Sequence, residues 1–327
     1  MRRPSIEPPR REPVPAPLSA SSRAVVAPPR PAPEASLRAA APDIAAALLR
    51  WWAAAGRRLA VRERRDPWFV LVLEVMSQQT QLGRAAEAAE RFVGAFPTPT
   101  ALASASGGDV LREWSGLGYN RRAIALQAAA RAIAARHGGE VPAEVAALDA
   151  LPGVGPYTAR AVAAQAFGLP VGPVDVNVRR VLSRLLGEDR GAAALQRLAD
   201  GLVDGGDPAA WTHATMDLAV LVCRRDRPAC DACPVAAWCA ARGPLGRAAR
   251  RRPARAATVP ERFVASPRWL RGALVRELAG APAGVWVRVD GGRGGHDAAA
   301  VRRALESLAR EGLLELAADG SVRLPAA

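Results

Sequence analysis

Four cysteines, Cys223, Cys230, Cys233 and Cys239, follow the spacing C-x6-C-x2-C-x5-C, and the 327-residue chain has no others. Four thiols in so short a stretch can pair as disulfides or close around one inorganic centre. Disulfides fit poorly, because paired cysteines staple small secreted domains; this chain is long and shows no export signal. Structural zinc sites use two short Cys-x-x-Cys hooks, and only Cys230 and Cys233 make one. A cuboidal [4Fe–4S] cluster also takes four thiolates, although ferredoxin spacings differ from this one. Spacing alone leaves zinc and iron–sulfur open.

Two carboxylates stand out for chemistry. Glu74 interrupts the apolar run Phe69-Val70-Leu71-Val72-Leu73 and Val75-Met76. A carboxyl held among such side chains keeps its proton to higher pH and suits general-acid work. Asp175, in Pro173-Val174-Asp175-Val176-Asn177-Val178, directly precedes a helical pattern and on its own reads as an N-cap. Between these two lies Leu151-Pro152-Gly153-Val154-Gly155, followed by Pro156 at a favoured first-turn position. Two glycines allow close backbone approach to a ligand, and a helix start offers free N–H groups. Gly153, Val154 and Gly155 between two helices therefore form a candidate phosphate holder that grips DNA without reading sequence.

The elements that position these groups are mostly helical. Apolar residues recur at helical spacing over 43–56, 68–81, 82–95, 123–137, 156–167 and 178–186, and strand candidates are scarce. Residues 1–42 are rich in Pro, Ala and Arg and are expected to be disordered. A helical domain should span 43–241, with a cluster loop at 223–239, and a basic linker 242–265 follows. Residues 266–327 predict a small winged-helix-like module. It has helices over 266–278 and 297–311, then a hairpin whose arms, 313–316 and 321–324, flank Asp319-Gly320. The formal charge is +14, the pI is about 11.3, and every one of the 45 basic residues is arginine. Guanidinium groups match phosphate oxygens, so nucleic acid is the expected partner. No apolar run is long enough to span a bilayer.

Hairpin, aspartate loop and cysteine quartet together resemble the helix-hairpin-helix base-excision glycosylases of the endonuclease III type. Within them, Glu74-Val75-Met76-Ser77-Gln78-Gln79-Thr80-Gln81 and Gly116-Leu117-Gly118-Tyr119 resemble motifs of the MutY-type adenine DNA glycosylases. The likeness covers about residues 43–241. It implies the helix-hairpin-helix glycosylase fold of two helical subdomains, with a [4Fe–4S] cluster on Cys223, Cys230, Cys233 and Cys239. The implied partner is double-stranded DNA containing a mismatch or an oxidised guanine, met by a monomer in the bacterial cytoplasm at the nucleoid.

The resemblance also assigns roles. Asp175 would shield positive charge developing on the sugar as the N-glycosidic bond breaks. Glu74 would protonate adenine. Gln78, Gln79, Thr80 and Tyr119 would contact DNA at the flipped base and its partner, offsetting the cost of extrusion. Tyr157 stands where superfamily members that cut the backbone carry a lysine. This chain contains no lysine, so a Schiff base is closed to it and water is the expected nucleophile. The family's Leu-Pro-Trp motif is replaced by Leu59-Ala60-Val61-Arg62, and the stretch after Cys239 is too short for the Nudix-like domain of longer members. Rival readings are a mismatch thymine or uracil glycosylase and a non-catalytic iron–sulfur DNA-binding protein. The paired Arg121-Arg122 and Arg179-Arg180 are candidate phosphate contacts whose default is solvated helix surface.

Overall fold

Two apolar stripes far apart in the sequence find each other. The computed structural model describes residues 34–203, 206–242 and 263–326. Its helices are α1 (Glu34–Ala39), α2 (Ala41–Ala55), α3 (Pro67–Ser77), α4 (Leu82–Ala95), α5 (Pro99–Ser104), α6 (Gly107–Glu113), α7 (Arg121–Arg136), α8 (Val145–Asp149), α9 (Pro156–Phe167), α10 (Val176–Leu186), α11 (Ala192–Leu202), α12 (Pro208–Asp217), α13 (Pro267–Ala279) and α14 (Ala298–Arg310). One core joins Leu37, Ile44 and Leu48 of the first two helices to Leu182, Leu198 and Trp211 of α10, α11 and α12. The other is built by α3–α9, with Phe69, Phe92, Trp114 and Leu126 at its centre. The middle of the chain thus forms one subdomain, and its flanks close into the second.

The expected disordered stretch 1–42 ends earlier than its composition predicts. Helix α1 begins at Glu34, and Leu37 is 1% exposed against the second core. Glu34 accepts from Arg38 at 2.9 Å and from Arg190 at 2.9 Å. One leucine and one carboxylate are enough to seat this turn, too few to register as a periodic pattern. Residues 1–33 of the predicted tail and 243–262 of the predicted linker lie outside the described residues.

A buried carboxylate ties α12 to the segment after α2. Asp217 is fully buried and accepts from Arg62 Nη1 at 2.8 Å and Nη2 at 2.9 Å, Arg57 Nε at 2.6 Å and Trp52 Nε1 at 3.1 Å. Burial pushes this carboxyl up, but the hydrogen bonds from Arg62 and Arg57 outweigh it and hold it at about 2, below its ordinary 3.8. Its stabilisation is therefore complete above about pH 4 and is lost as pH falls through about 2. Removing the carboxylate leaves the buried Arg62 guanidinium without its counter-charge. Asp217→Ala is expected to cost about 3–5 kcal/mol, read as a lower urea midpoint at neutral pH.

The C-terminal elements pack on the α3–α9 subdomain. Strands β1 (Glu315–Leu316) and β2 (Val322–Arg323) pair antiparallel with Leu316 opposite Val322, and Val287 bridges to Val322 as well. Leu270 and Leu274 of α13, Leu305 of α14 and Val322 join the same apolar core as α3. The Gly108 amide donates to the Pro325 carbonyl at 2.8 Å, fixing the described end of the chain on α6.

Candidate active site

Helix α3 is the buried axis of its subdomain. Asp66 caps it by accepting from the Phe69 amide at 2.7 Å, Pro67 opens it, and Glu74 is its one charged residue. Eight of its side chains are buried, so the helix is apolar nearly all round and its half-buried carboxyl stands among apolar neighbours. Helix α9 packs alongside and aims two donors at it. Gln165 Nε2 donates to Glu74 Oε1 at 2.8 Å, and the Tyr157 hydroxyl donates to the same carboxyl. Burial lifts Glu74 above the ordinary carboxylate range; the bonds from Gln165 and Tyr157 pull it back in part, and the nearby charge of Asp175 lifts it further. Burial, then the charges of Glu74 and Asp175, drive the Tyr157 phenol well above its usual value. The phenol therefore stays protonated and keeps donating. Glu74 and Tyr157, picked from separate stretches of sequence, meet in one place, and the charge of Asp175 acts on both.

The glycine hairpin sets where α9 starts. Gly153 has φ 75°, and a Cβ there would lie 2.7 Å from the Ala125 Cβ. Gly155 is the N-cap and offers no side chain to the first-turn N–H groups of α9, which leaves them for an outside acceptor. Val154 is buried and anchors the loop, while Gly153 is exposed. Gly153→Ala combines left-handed backbone strain with a clash. It is expected to destabilise the protein by about 1–3 kcal/mol and to weaken duplex binding, read by thermal melting and fluorescence anisotropy.

Asp175 is the N-cap of α10. Its Oδ1 accepts from the amides of Asn177 at 2.8 Å and Val178 at 2.7 Å, and its Oδ2 accepts from Asn177 Nδ2 at 2.8 Å. Asn177 Oδ1 in turn accepts from Arg180 Nη1 at 3.0 Å, and Arg180 donates to the carbonyls of Cys223 at 3.0 Å and Ala219 at 2.8 Å. Arg180 thus points inward and couples the cysteine loop to the aspartate. Its neighbour Arg179 is spent on Asp189 at 3.0 Å.

Gln78, Gln79 and Tyr119 line a cleft of about 670 Å³ whose far wall is α13. Thr80 is not among the lining residues; its hydroxyl turns back to the Gln78 carbonyl at 3.4 Å. The predicted helix over 68–81 stops at Ser77, because Gln79 takes φ 55°. Tyr119 likewise takes φ 49°. Both left-handed residues border the cleft, and such strain persists only where the surroundings impose it. Arg122 imposes it here, donating to the carbonyls of Val75 at 3.0 Å, Met76 at 3.1 Å and Gly118 at 3.2 Å. The cleft does not include Glu74 or Asp175. Gln78 links the two regions, its amide 3.4 Å from the hydroxyl of Thr158, next to Tyr157.

The four cysteines line one small cavity together with Arg184, Val222 and Pro228. Each closes a short turn. Cys223 ends the π turn Leu218–Val222, Cys230 and Cys233 bracket one 3-10 turn, and Cys239 caps another. Burial pushes the Cys233 thiol up to about 12 and also raises Cys239, so thiolates at this site need a cation to meet them. Among the described residues, no group of three or more His, Cys, Asp or Glu is drawn onto a single metal-ion position. Four cysteines around one shared cavity are a donor set that an inorganic centre takes.

Comparison with known proteins agrees with this geometry. A profile of the HhH-GPD superfamily base excision DNA repair proteins matches residues 72–202, the stretch holding Glu74, Tyr157 and Asp175. The adenine DNA glycosylase of Mycobacterium tuberculosis (strain CDC 1551 / Oshkosh) is 38% identical over 293 residues, which is 85% of this chain and 92% of that protein. The thymine/uracil-DNA glycosylase of Methanothermobacter thermautotrophicus is 29% identical over 198 residues, 59% of this chain and 90% of that protein. A solved structure of a thermostable thymine-DNA glycosylase superposes with a TM-score of 0.58 at 28% identity, over 62% of this chain and 97% of that one.

Proposed function

This chain belongs to the HhH-GPD superfamily of base-excision DNA repair proteins, among its adenine DNA glycosylases, and from that premise we propose that it hydrolyses the N-glycosidic bond of adenine mispaired with 8-oxoguanine or guanine. The observation that carries the site assignment is the Glu74 carboxyl, half-buried in an apolar helix, held by Tyr157 and Gln165, and within the field of Asp175. Two carboxyl groups whose charges act on each other, held in different surroundings, divide the work of acid and charge stabiliser.

Glu74, whose surroundings strengthen its hold on a proton, gives that proton to the adenine ring and makes it a better leaving group. As the bond lengthens, positive charge grows on the deoxyribose and Asp175 offsets it. Water adds to the anomeric carbon and releases a proton, leaving an abasic site in an intact strand. Tyr157 orients Glu74 and cannot replace a lysine as an amine nucleophile. The α9 start, with Gly153, Val154 and Gly155, receives a backbone phosphate, and Gln78, Gln79 and Tyr119 stand at the gap left by the base, with Thr80 turned back onto the Gln78 carbonyl.

Cys223, Cys230, Cys233 and Cys239 would hold a [4Fe–4S] cluster, whose iron–thiolate bonds, when formed, pin the loop 223–239. Purified protein is expected to be brown with about four irons per chain; zinc alone would contradict this ligand set. The activity is tested with duplexes carrying A, T or U opposite G or 8-oxoguanine, scored before and after alkali. Adenine release revealed as a strand break only after alkali is the expected result. Release of thymine or uracil with none of adenine would move the chain to the mismatch branch, and inertness on every duplex would leave a binding protein.

A further inference from the structure

The cleft beside Tyr119 has a second wall that the glycosylase core does not supply. That wall is α13 and the turn before it, Phe263–Ala265. Among the described residues, no aspartate or glutamate lines the cleft, whereas six arginines do. Four of these are engaged: Arg84 and Arg122 donate to backbone carbonyls, and Arg121 and Arg271 share Glu311. Arg268 and Arg276 are exposed, and neither has a carboxylate partner within salt-bridge distance among the described residues. Arg268 lies over the Tyr119 ring, 4.1 Å from its centroid, and 5.8 Å from that of Phe263. The two rings are 37% and 60% exposed. Unneutralised guanidinium groups interleaved with open aromatic faces form the kind of surface that follows a nucleic-acid backbone.

We propose that the C-terminal module is the second half of the DNA-binding cleft, with Arg268 and Arg276 neutralising phosphates of the strand that pairs with the excised base. This rests on the glycosylase reading, since it takes Gln79 and Tyr119 as the residues that face that strand. Charge complementarity selects the occupant: a cleft that, among the described residues, has no acids and two arginines without a carboxylate partner fits a polyanion. Continuity selects the strand, because the same cleft is bounded by the left-handed residues Gln79 and Tyr119. The arginine contact on Tyr119 also gives the module a hold on the ring that would enter the duplex.

The test is the salt dependence of duplex binding by the full chain, with Arg276→Ala, with Arg268→Ala/Arg276→Ala, and with Arg136→Ala as the charge control. Arg136 closes the far end of α7, about 22 Å along the helix from Arg121. The probe is a duplex with an uncleavable adenine analogue opposite guanine or 8-oxoguanine. The slope of log affinity against log salt is expected to shrink by about one for Arg276→Ala and about two for the double variant, equally for both partner bases. The control should match the parent. The exposed Arg276 side chain makes no ion pair among the described residues, so its variant answers even if the Arg268 change disturbs the fold. An unchanged slope in both variants overturns the proposal, and so does a loss confined to one partner base, which would signify base reading rather than phosphate contact. Absence of adenine release by the parent protein would strike the glycosylase reading instead, and binding slopes tell the two failures apart.

Discussion

Asp175→Asn is expected to lower the single-turnover rate of adenine release by roughly 10²–10³-fold or more while duplex affinity stays near that of the parent. The substitution separates two roles that this residue combines. As an N-cap, Asp175 Oδ1 accepts from the amides of Asn177 and Val178. Asparagine caps as well as aspartate does, so α10 keeps its start. What is lost is the negative charge facing the sugar, together with one acceptor, since the new amide would meet the Asn177 Nδ2 donor. A purely structural Asp175 predicts a variant as active as the parent, because the cap survives. The measurement is quenched-flow adenine release with enzyme in excess, paired with anisotropy on an uncleavable duplex. Release within a few-fold of the parent removes Asp175 from the chemistry.

The second large effect belongs to Glu74. Glu74→Gln keeps the shape and can still meet Gln165 and Tyr157, but it has no proton to give. General-acid assistance contributes about 10²–10⁴-fold, and a loss of that order is expected in single-turnover rate. The pH profile provides an independent signature. Because burial raises the folded pKa of Glu74, the parent stays active at pH values where an ordinary carboxyl has ionised. Its rate then falls as pH rises through that raised value. Glu74→Gln should lack this limb. Stability should move the other way. A group whose folded pKa is raised stabilises fully below its unfolded value and loses that contribution as pH rises. The glutamine variant is therefore expected to melt higher than the parent in mildly alkaline buffer. A variant that is slow but no more stable at high pH, with the same pH limb, would place the general acid elsewhere.

Much of this site was legible before any coordinates. The cysteine spacing, the Gly-x-Gly hairpin ahead of Pro156 and the lone charge in an apolar helix each state a physical demand that few folds meet. Other parts were hidden for reasons equally physical. Gln165 sits in an alanine-rich stretch of α9, and nothing local says that its amide reaches back to Glu74 across a helix interface. Asn177 reads as a helix-start residue, yet it carries the hydrogen bond that joins Asp175 to Arg180. Arg122 and Arg180 read as solvated or phosphate-facing arginines, and both turn inward. The carbonyls at the ends of α3 and of the π turn need donors, and a long side chain from another element is the nearest supply. The end of α3 was overrun for a similar reason. Gln78 and Gln79 have good helix propensity, and only the tertiary grip of Arg122 shows that the chain must break there. Arg62, standing where the Leu-Pro-Trp pattern departs, is committed to Asp217 rather than to a base pocket.

The split second subdomain bears on how the protein is made. Leu37, Ile44 and Leu48 leave the ribosome first, but their partners on α10–α12 are more than a hundred residues behind. At about 5–20 residues per second, that interval is on the order of 10 s. During it the α3–α9 unit can collapse on its own contacts, while the leading helices keep an apolar stripe uncovered. The nascent chain therefore passes through a half-assembled stage with a sticky amino-terminal arm, and shielding of that arm by a chaperone would determine how much of the translated protein reaches the native state.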